Sequence, residues 1–184
     1  MKFCSTCGAT VALRIPAGDS RSRFICDGCE TIHYQNPRIV TGCLATWEDR
    51  VLLCRRAIEP RRGYWTLPAG YLENGETAED GAIRETWEEA SARVAVDDLY
   101  TLFSLPHISQ VYMFFRGRLL VPEYAAGEES EEVGLFRHDE IPWNALAFPV
   151  VKETLEHYFA DRESQHFPVR NRSIIISRPP GARF

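Results

Sequence analysis

The sequence predicts an α/β (α+β) sandwich preceded by a small module that a metal ion organises. Two knuckles, Cys4-x2-Cys7 and Cys26-x2-Cys29, open the chain. Strand-like apolar runs then combine with two well-separated helical segments, the pattern of a layered domain. The length of 184 residues, 45% of them hydrophobic and 26% charged, suits one ordinary domain with a small appendage. The expected organisation is a zinc ribbon over 1–36, a main domain over 37–162 and a C-terminal tail over 163–184.

The knuckles are identical in form, and 18 residues separate them, a spacing that suits a four-thiolate zinc site. Zinc takes thiolates tetrahedrally, and a two-residue gap lets both sulfurs of one turn reach the same ion. Two disulfides are the alternative. The start "MKFCSTCGAT" has no apolar h-region of a secretory leader, so a reducing, cytoplasmic setting and Zn²⁺ are expected. Four protein ligands leave no open position, which makes that zinc structural. Cys43 and Cys54 lie inside apolar runs and read as core thiols. Short strands are expected near Val11–Ile15 and Phe24–Ile25, too little core to fold without the metal.

"QNP" at 35–37 marks the hinge into the main domain. "RIVTGCLATW" (38–47) and "RVLLCRRA" (50–57) predict a β-hairpin around a turn at "EDR". "GYWTLPAGYL" (63–72) predicts a third extended segment broken by Pro68 and Gly70. A helix is expected over Thr77–Ala92, then strands near 99–105, 110–121 and 133–137. A second helix over 149–162 starts at Pro149 and turns Val150, Leu155, Tyr158 and Phe159 inward. The tail, with "RNRSIIISRPPGARF", is basic and bounded by prolines, and no element is predicted for it.

The first helix holds the chemistry. Glu85, Glu88 and Glu89 stand at i, i+3 and i+4, within one arc of roughly 100°. Ile83, Trp87 and Ala90 are expected on the opposite, core-facing side. Three neighbouring like charges near a helix C-terminus oppose both each other and the helix dipole. A solvated acidic face is the plain alternative. A divalent cation would turn the same crowding into a stabilising ligand set of hard oxygens.

Outward from these residues the order is Gly70-x5-Glu76-x7-Arg84-Glu85-Thr86-x-Glu88-Glu89-x-Ser91-Ala92. This resembles the Nudix box, G-x5-E-x7-R-E-U-x-E-E-x-G-U with U aliphatic. Every charged position and the opening glycine match; Thr86, Ser91 and Ala92 depart, at packing and helix-exit positions. The resemblance implies a Nudix α/β/α sandwich with a mixed sheet and a loop–helix–loop that holds Mg²⁺ or Mn²⁺ against a diphosphate. The implied metal ligands are Glu85, Glu89 and the carbonyl of Ala69, with Glu88 as a further ligand or a base. Arg84 is implied to position the glutamates, and Glu76 to brace the loop. A carboxylate must take the proton of the attacking water; Glu89 and a glutamate of "GEESEEVG" (127–134) both qualify.

The wider resemblance is to the zinc-ribbon Nudix enzymes that hydrolyse FAD and ADP-ribose, including plant plastid enzymes and their bacterial relatives. It rests on the knuckles, "YQNPRIVTGCL", "VLLCRRAIEP", "GYWTLPAGYLENGET", "RETWEEA", "ESEEVGLFRHDEIPW" and "LAFPVVKETL". It implies a diphosphatase that yields AMP with ribose 5-phosphate or FMN, and a homodimer. A NADH or other nucleotide pyrophosphatase is the alternative, although the S-Q-P-W-P-F-P signature of the NADH enzymes is missing. Arg55, Tyr64, Trp65 and Glu132 are the expected substrate contacts and Glu131 an added metal ligand. Arg56, Arg61, Arg62, His107 and Gln110 are weaker candidates for the ligand.

Composition limits the remaining classes. The net charge of -5 argues against binding that relies on phosphate attraction. A zinc-ribbon module gripping nucleic acid or a partner, with the main domain as a ligand sensor, is the alternative of another class. Residues 1–40 carry five Lys/Arg against three Asp/Glu, a small excess for such a role. No apolar run approaches the ~18 residues that span a bilayer.

Overall fold

In the computed structural model, which describes residues 1–175, the chain divides between Pro37 and Arg38 into two units. The first is a three-stranded antiparallel sheet of β1 (Val11–Arg14), β2 (Arg23–Cys26) and β3 (Ile32–His33), in that order. The strand β3 was not expected. Within this unit only Cys4, Pro16 and Cys26 are buried. So little apolar burial cannot offset the ordering of 37 residues, and the thiol cluster must supply the difference.

The second unit is built on β4 (Arg38–Trp47), β5 (Arg50–Arg56), β6 (Trp65–Thr66), β7 (Ala69–Tyr71), β8 (Val94–Leu105), β9 (Gln110–Leu119), β10 (Ser130–Phe136) and β11 (Arg170–Ser173). Helix α1 spans Ala78–Ala90 and α2 spans Pro149–Arg162. The sheet order is β10-β5-β4-β9-β8-β11, with β6 beside β5 and β7 beside β4. The pairs β4–β9 and β8–β11 are parallel and the others antiparallel, so the sheet is mixed.

Alternation along the central strands feeds two cores. Leu44, Val51 and Leu53 join Val150, Val151, Leu155, Tyr158 and Phe159 of α2. Their neighbours Cys43, Ala45, Leu52 and Cys54 join Ala82 and Ala90 of α1. The helices therefore cover opposite faces, and the architecture is an α/β/α sandwich. No helix among the described residues is long and apolar enough to cross a membrane.

One irregularity makes the site. β4 and β5 pair only at Thr46–Val51 and Trp47–Arg50, next to their hairpin turn, and then part. β6 fills the gap on the β5 side, at Cys54 and Arg55, and β7 fills it on the β4 side, at Val40–Gly42. The expected single segment over 63–72 is thus two short strands, and Pro68 falls between them. Gly42 allows this insertion, since a Cβ there would lie 2.4 Å from that of Ala69.

Helix α1 starts at Thr77, whose hydroxyl accepts from Asp80 N–H at 3.1 Å, with Glu79 and Asp80 in its first turn. It ends two residues sooner than expected, capped by Ser91 in the left-handed region (φ 48°, ψ 29°), whose N–H reaches Trp87 C=O at 2.8 Å. Its inward face meets the expectation at Ala90, which is buried, and departs from it at the other two positions. Ile83 and Trp87 point to solvent, 39% and 51% exposed, while Glu85 and Glu89 are 8% and 7% exposed. The helix reaches the sheet through Gly81, Ala82, Thr86 and Ala90, and Thr41 Oγ1 donates to Ala78 C=O at 2.7 Å. Such close approach leaves no room for an indole.

The tail also differs from expectation. Residues 170–173 form β11, and Arg170 pairs with the buried Asp161 of α2, which also accepts from Tyr100 Oη at 2.7 Å. The final stretch of the predicted tail, 176–184, lies outside the described residues.

Candidate active site

Where β4 and β5 part, a cleft of about 1290 Å³ opens in the second unit. Ala69, Gly70 and Tyr71 line it together with Glu85, Glu88 and Glu89 of α1. Gly70 leaves room for this approach: a Cβ would lie 2.3 Å from Glu85 Oε1 and displace that carboxylate. The Glu85 carboxylate thus rests directly on the β7 backbone. Ala69 N–H donates to Glu89 Oε2 at 3.3 Å, which ties the second glutamate to the same strand.

Arg84 organises the acids. Its Nε and Nη2 form a two-point contact with Glu76 at 3.0 and 2.7 Å, and Nη1 is shared by Glu85 (2.7 Å) and Glu88 (3.0 Å). Nη2 also donates to Tyr71 C=O at 3.1 Å. Glu76 in turn accepts from Glu73 N–H at 2.8 Å. Hydrogen bonds from Arg84 hold the Glu76 carboxyl down to about 2.

The buried glutamates behave in the opposite sense. Burial pushes Glu89 up to about 8, the Glu85 charge adds to this, and the Ala69 N–H and the Arg56 charge oppose it. Glu85 is also raised, mainly by burial, despite its contact with Arg84. Negative charge added by Glu129 raises both. Two desolvated carboxylates facing a third acid are hard oxygen donors short of positive charge, a set that fits a divalent cation. Glu85 and Glu88 are engaged by the same Arg84 nitrogen, so cation binding would release that nitrogen while the Glu76 contact keeps the guanidinium in place.

The loop 120–129 brings further acid to the cleft by capping α1. Gly127 N–H reaches Glu89 C=O at 3.0 Å and Ala125 N–H reaches Ala90 C=O at 2.8 Å, satisfying carbonyls that the helix leaves open. Ala57 N–H then holds Glu129 C=O at 2.7 Å, and Glu128 and Glu129 line the cleft.

The expected contact residues divide accordingly. Glu85, Glu88, Glu89, Arg84 and Ala69 come together in the cleft, with Glu76 held to Arg84. Arg55, Tyr64, Trp65, Glu131 and Glu132 are not among its lining residues. Arg55 pairs with Glu132 at 3.0 Å, and Glu131 with Arg62 at 3.1 Å, on the outer side of β5 and β10. Trp65 packs edge-on against Phe136, with 4.9 Å between ring centroids. Strand alternation explains the exchange: Arg56, one residue after Arg55, faces the cleft, as do Arg61, His107 and Gln110. The sequence reading missed Arg38, Tyr71, Tyr112 and Phe148, all of which line the cleft. Tyr71 was within reach, because it follows the box glycine on the strand that carries Ala69.

In the first unit, Cys4, Cys7, Cys26 and Cys29 bring their sulfurs within 4.8 Å of one another. Contacts of 3.7 Å for Cys4–Cys29 and 3.4 Å for Cys7–Cys26 approach the ~3.8 Å edge of a tetrahedron with ~2.3 Å zinc–sulfur bonds. Backbone N–H groups of Thr6, Gly28 and Cys29 point at these sulfurs at 3.3 Å, and His33 Nε2 lies 3.3 Å from Cys4 Sγ. The thiol set fits zinc, with polar support around the ligands.

Comparison with known proteins agrees with both units. Residues 2–35 match the Nudix N-terminal zinc-ribbon family and residues 36–158 the NUDIX domain family. The crystal structure of a NUDIX hydrolase from Nitrosomonas europaea is 54% identical, covers 96% of this chain and 100% of its own, and superposes with a TM-score of 0.93. The NAD-capped RNA hydrolase NudC of Edwardsiella ictaluri is 28% identical over 173 residues, 90% of this chain and 63% of that protein. An ADP-ribose pyrophosphatase of Methanocaldococcus jannaschii is 27% identical over 121 residues, 62% of this chain and 69% of that protein. The chain spans 57–69% of the length of the curated relatives it matches.

Proposed function

The chain belongs to the Nudix hydrolase family, and from that premise we propose that it hydrolyses the diphosphate linkage of ADP-ribose or FAD, releasing AMP with ribose 5-phosphate or FMN. The observation that carries this is the pair of buried glutamates, Glu85 and Glu89, set on the Ala69–Gly70 backbone at the base of the cleft. Mg²⁺ or Mn²⁺ held by Glu85, Glu88, Glu89 and the Ala69 carbonyl would neutralise the diphosphate oxygens and acidify a bound water. Arg84 keeps the glutamates oriented through its two-point contact with Glu76. Arg56 supplies positive charge at the cleft wall near Glu89.

Glu89 and Glu129 are the carboxylates assigned to take the proton of the attacking water. Glu129 replaces Glu131 as the added acidic group, because it is Glu129 whose charge reaches Glu85 and Glu89. Oxygen from water bonds to one phosphorus, the bridging P–O bond breaks, and the departing phosphate carries away the bond pair. Zn²⁺ at the four cysteines is assigned a structural role.

A second substrate class, a NAD-type dinucleotide, is favoured by the match to NAD-capped RNA hydrolases over 85–91% of this chain. A cytoplasmic homodimer completes the proposal; sedimentation at micromolar concentration tests the assembly. The deciding experiment incubates purified protein with Mg²⁺ and ADP-ribose, FAD or NADH and identifies the products by chromatography. AMP release from ADP-ribose or FAD supports the proposal, and no turnover of any of the three sinks it.

A further inference from the structure

Two arginine-backed aromatic rings line the cleft on opposite edges of the split sheet. On the β4–β7 edge, Arg38 lies over the Tyr71 ring at 5.0 Å, and the Tyr71 hydroxyl accepts from Arg38 Nη1 at 3.3 Å and Gln110 Nε2 at 2.9 Å. On the β5 edge, Arg56 lies over the Phe148 ring at 5.3 Å, and its Nε donates to Pro60 C=O at 2.9 Å. The acids adjoin both edges: Arg84 bonds the Tyr71 carbonyl, and the Arg56 charge is felt at Glu89.

A tyrosine that is 44% exposed gains little stability from being held by two separate strands. Such restraint has a use when the ring must present a fixed face to a ligand. Phe148, half-buried at the start of α2, offers a second ring whose position is set by the core beneath it. The volume of about 1290 Å³ also exceeds the usual ~300–1,000 Å³ of a small-molecule pocket. One nucleotide would leave an edge of the cleft empty.

We propose that the cleft is a two-platform site for a dinucleotide, a diphosphate with an aromatic ring system at each end, one seated on Tyr71–Arg38 and the other on Phe148–Arg56. This rests on reading the cleft as a diphosphate-hydrolysing site, and it narrows that reading to FAD- or NAD-type substrates over ADP-ribose, which has one ring system. Base–aromatic stacking is sequence-tolerant, and each platform contributes about tenfold in affinity.

The test uses the full chain with zinc and Mg²⁺ present, and two non-hydrolysable half-ligands, AMP and FMN. FMN titrated into protein saturated with AMP, followed by flavin fluorescence and calorimetry, is expected to bind with its affinity lowered less than tenfold. Tyr71→Leu is expected to weaken one half-ligand about tenfold and Phe148→Leu the other, with Tyr71→Phe restoring most of the first loss. Direct competition between AMP and FMN in the wild-type protein overturns the proposal, and this arm needs no variant to fold. Loss of both half-ligands in one variant that melts like wild type overturns it as well. In turnover, kcat/KM for FAD should exceed that for ADP-ribose by at least tenfold. Absence of hydrolysis with intact co-binding would instead remove the proposed activity and leave the two-platform site standing.

Discussion

Replacing Glu89 by Gln should stabilise the Mg²⁺-free protein at alkaline pH while removing its metal-dependent activity. In the folded chain the Glu89 carboxyl titrates at about 8 rather than 4.5, chiefly because it is buried. A group whose folded pKa lies above its unfolded value binds its proton more tightly when folded. Its contribution is therefore fully present below pH 4.5 and is lost as the pH rises through 8. At ~1.36 kcal/mol per pH unit, ionising this carboxyl in place costs on the order of 4 kcal/mol at pH 8 and below about 1 kcal/mol at pH 5. Glutamine has the same shape, keeps an oxygen for the Ala69 N–H and never ionises. Thermal melts in buffer without Mg²⁺ should show Glu89→Gln above wild type by roughly 8–16 °C at pH 8, at about 2–4 °C per kcal/mol, with the gap nearly closed at pH 5. Added Mg²⁺ should raise the wild-type melt at pH 8 and leave the variant unmoved, and turnover by the variant should fall at least about 100-fold. A variant that loses stability equally at pH 5 and pH 8 would refute the claim that burial of an ionisable carboxyl sets this site.

Arg84→Lys keeps a charge but lacks the fork that reaches Glu76, Glu85 and Glu88 together, so kcat should fall about 100-fold with the melt little changed, as steady-state kinetics will show. Gly70→Ala places a Cβ where the Glu85 carboxylate lies, and should raise the Mg²⁺ concentration needed for half-maximal turnover at least about tenfold. Ser91→Gly relieves a left-handed helix exit and should add about 0.5–1 kcal/mol in urea unfolding at unchanged activity. Cys26→Ser, or a zinc-selective chelator, should release zinc and unfold the first unit, seen as lost protection of residues 1–37 in hydrogen exchange.

The acid cluster and the thiol cluster were legible in the sequence because each is local: spacing alone sets four cysteines on two turns, and three glutamates on one helix. The placement of α1 was not. Periodicity assigned Ile83 and Trp87 to the core because they are large and apolar, yet the contact with the sheet is made by Gly81, Ala82, Thr86 and Ala90. Small residues mark close approach, and their signal is weak on a scale that rewards bulk. The identity of the cleft walls was hidden for a different reason. Arg55 and Arg56 are neighbours of the same type, and only the strand register against β6 and β10 decides which one turns to the ligand. β11 escaped notice because a four-residue edge strand with two arginines, held by a distant Asp161, has no period to detect.

The parting of β4 from β5 has a consequence for how such a protein can diversify. Register is pinned on both sides of the excursion over 57–64 by the pairing of Cys54 with Thr66 and of Arg55 with Trp65, so the segment is anchored at both ends. Residues can be inserted or lost there without sliding the sheet, and the two rims of the opening belong to different strands. Ligand preference can then drift on one rim while the reacting centre stays fixed. The same scaffold becomes a chassis whose interchangeable part is a single short loop.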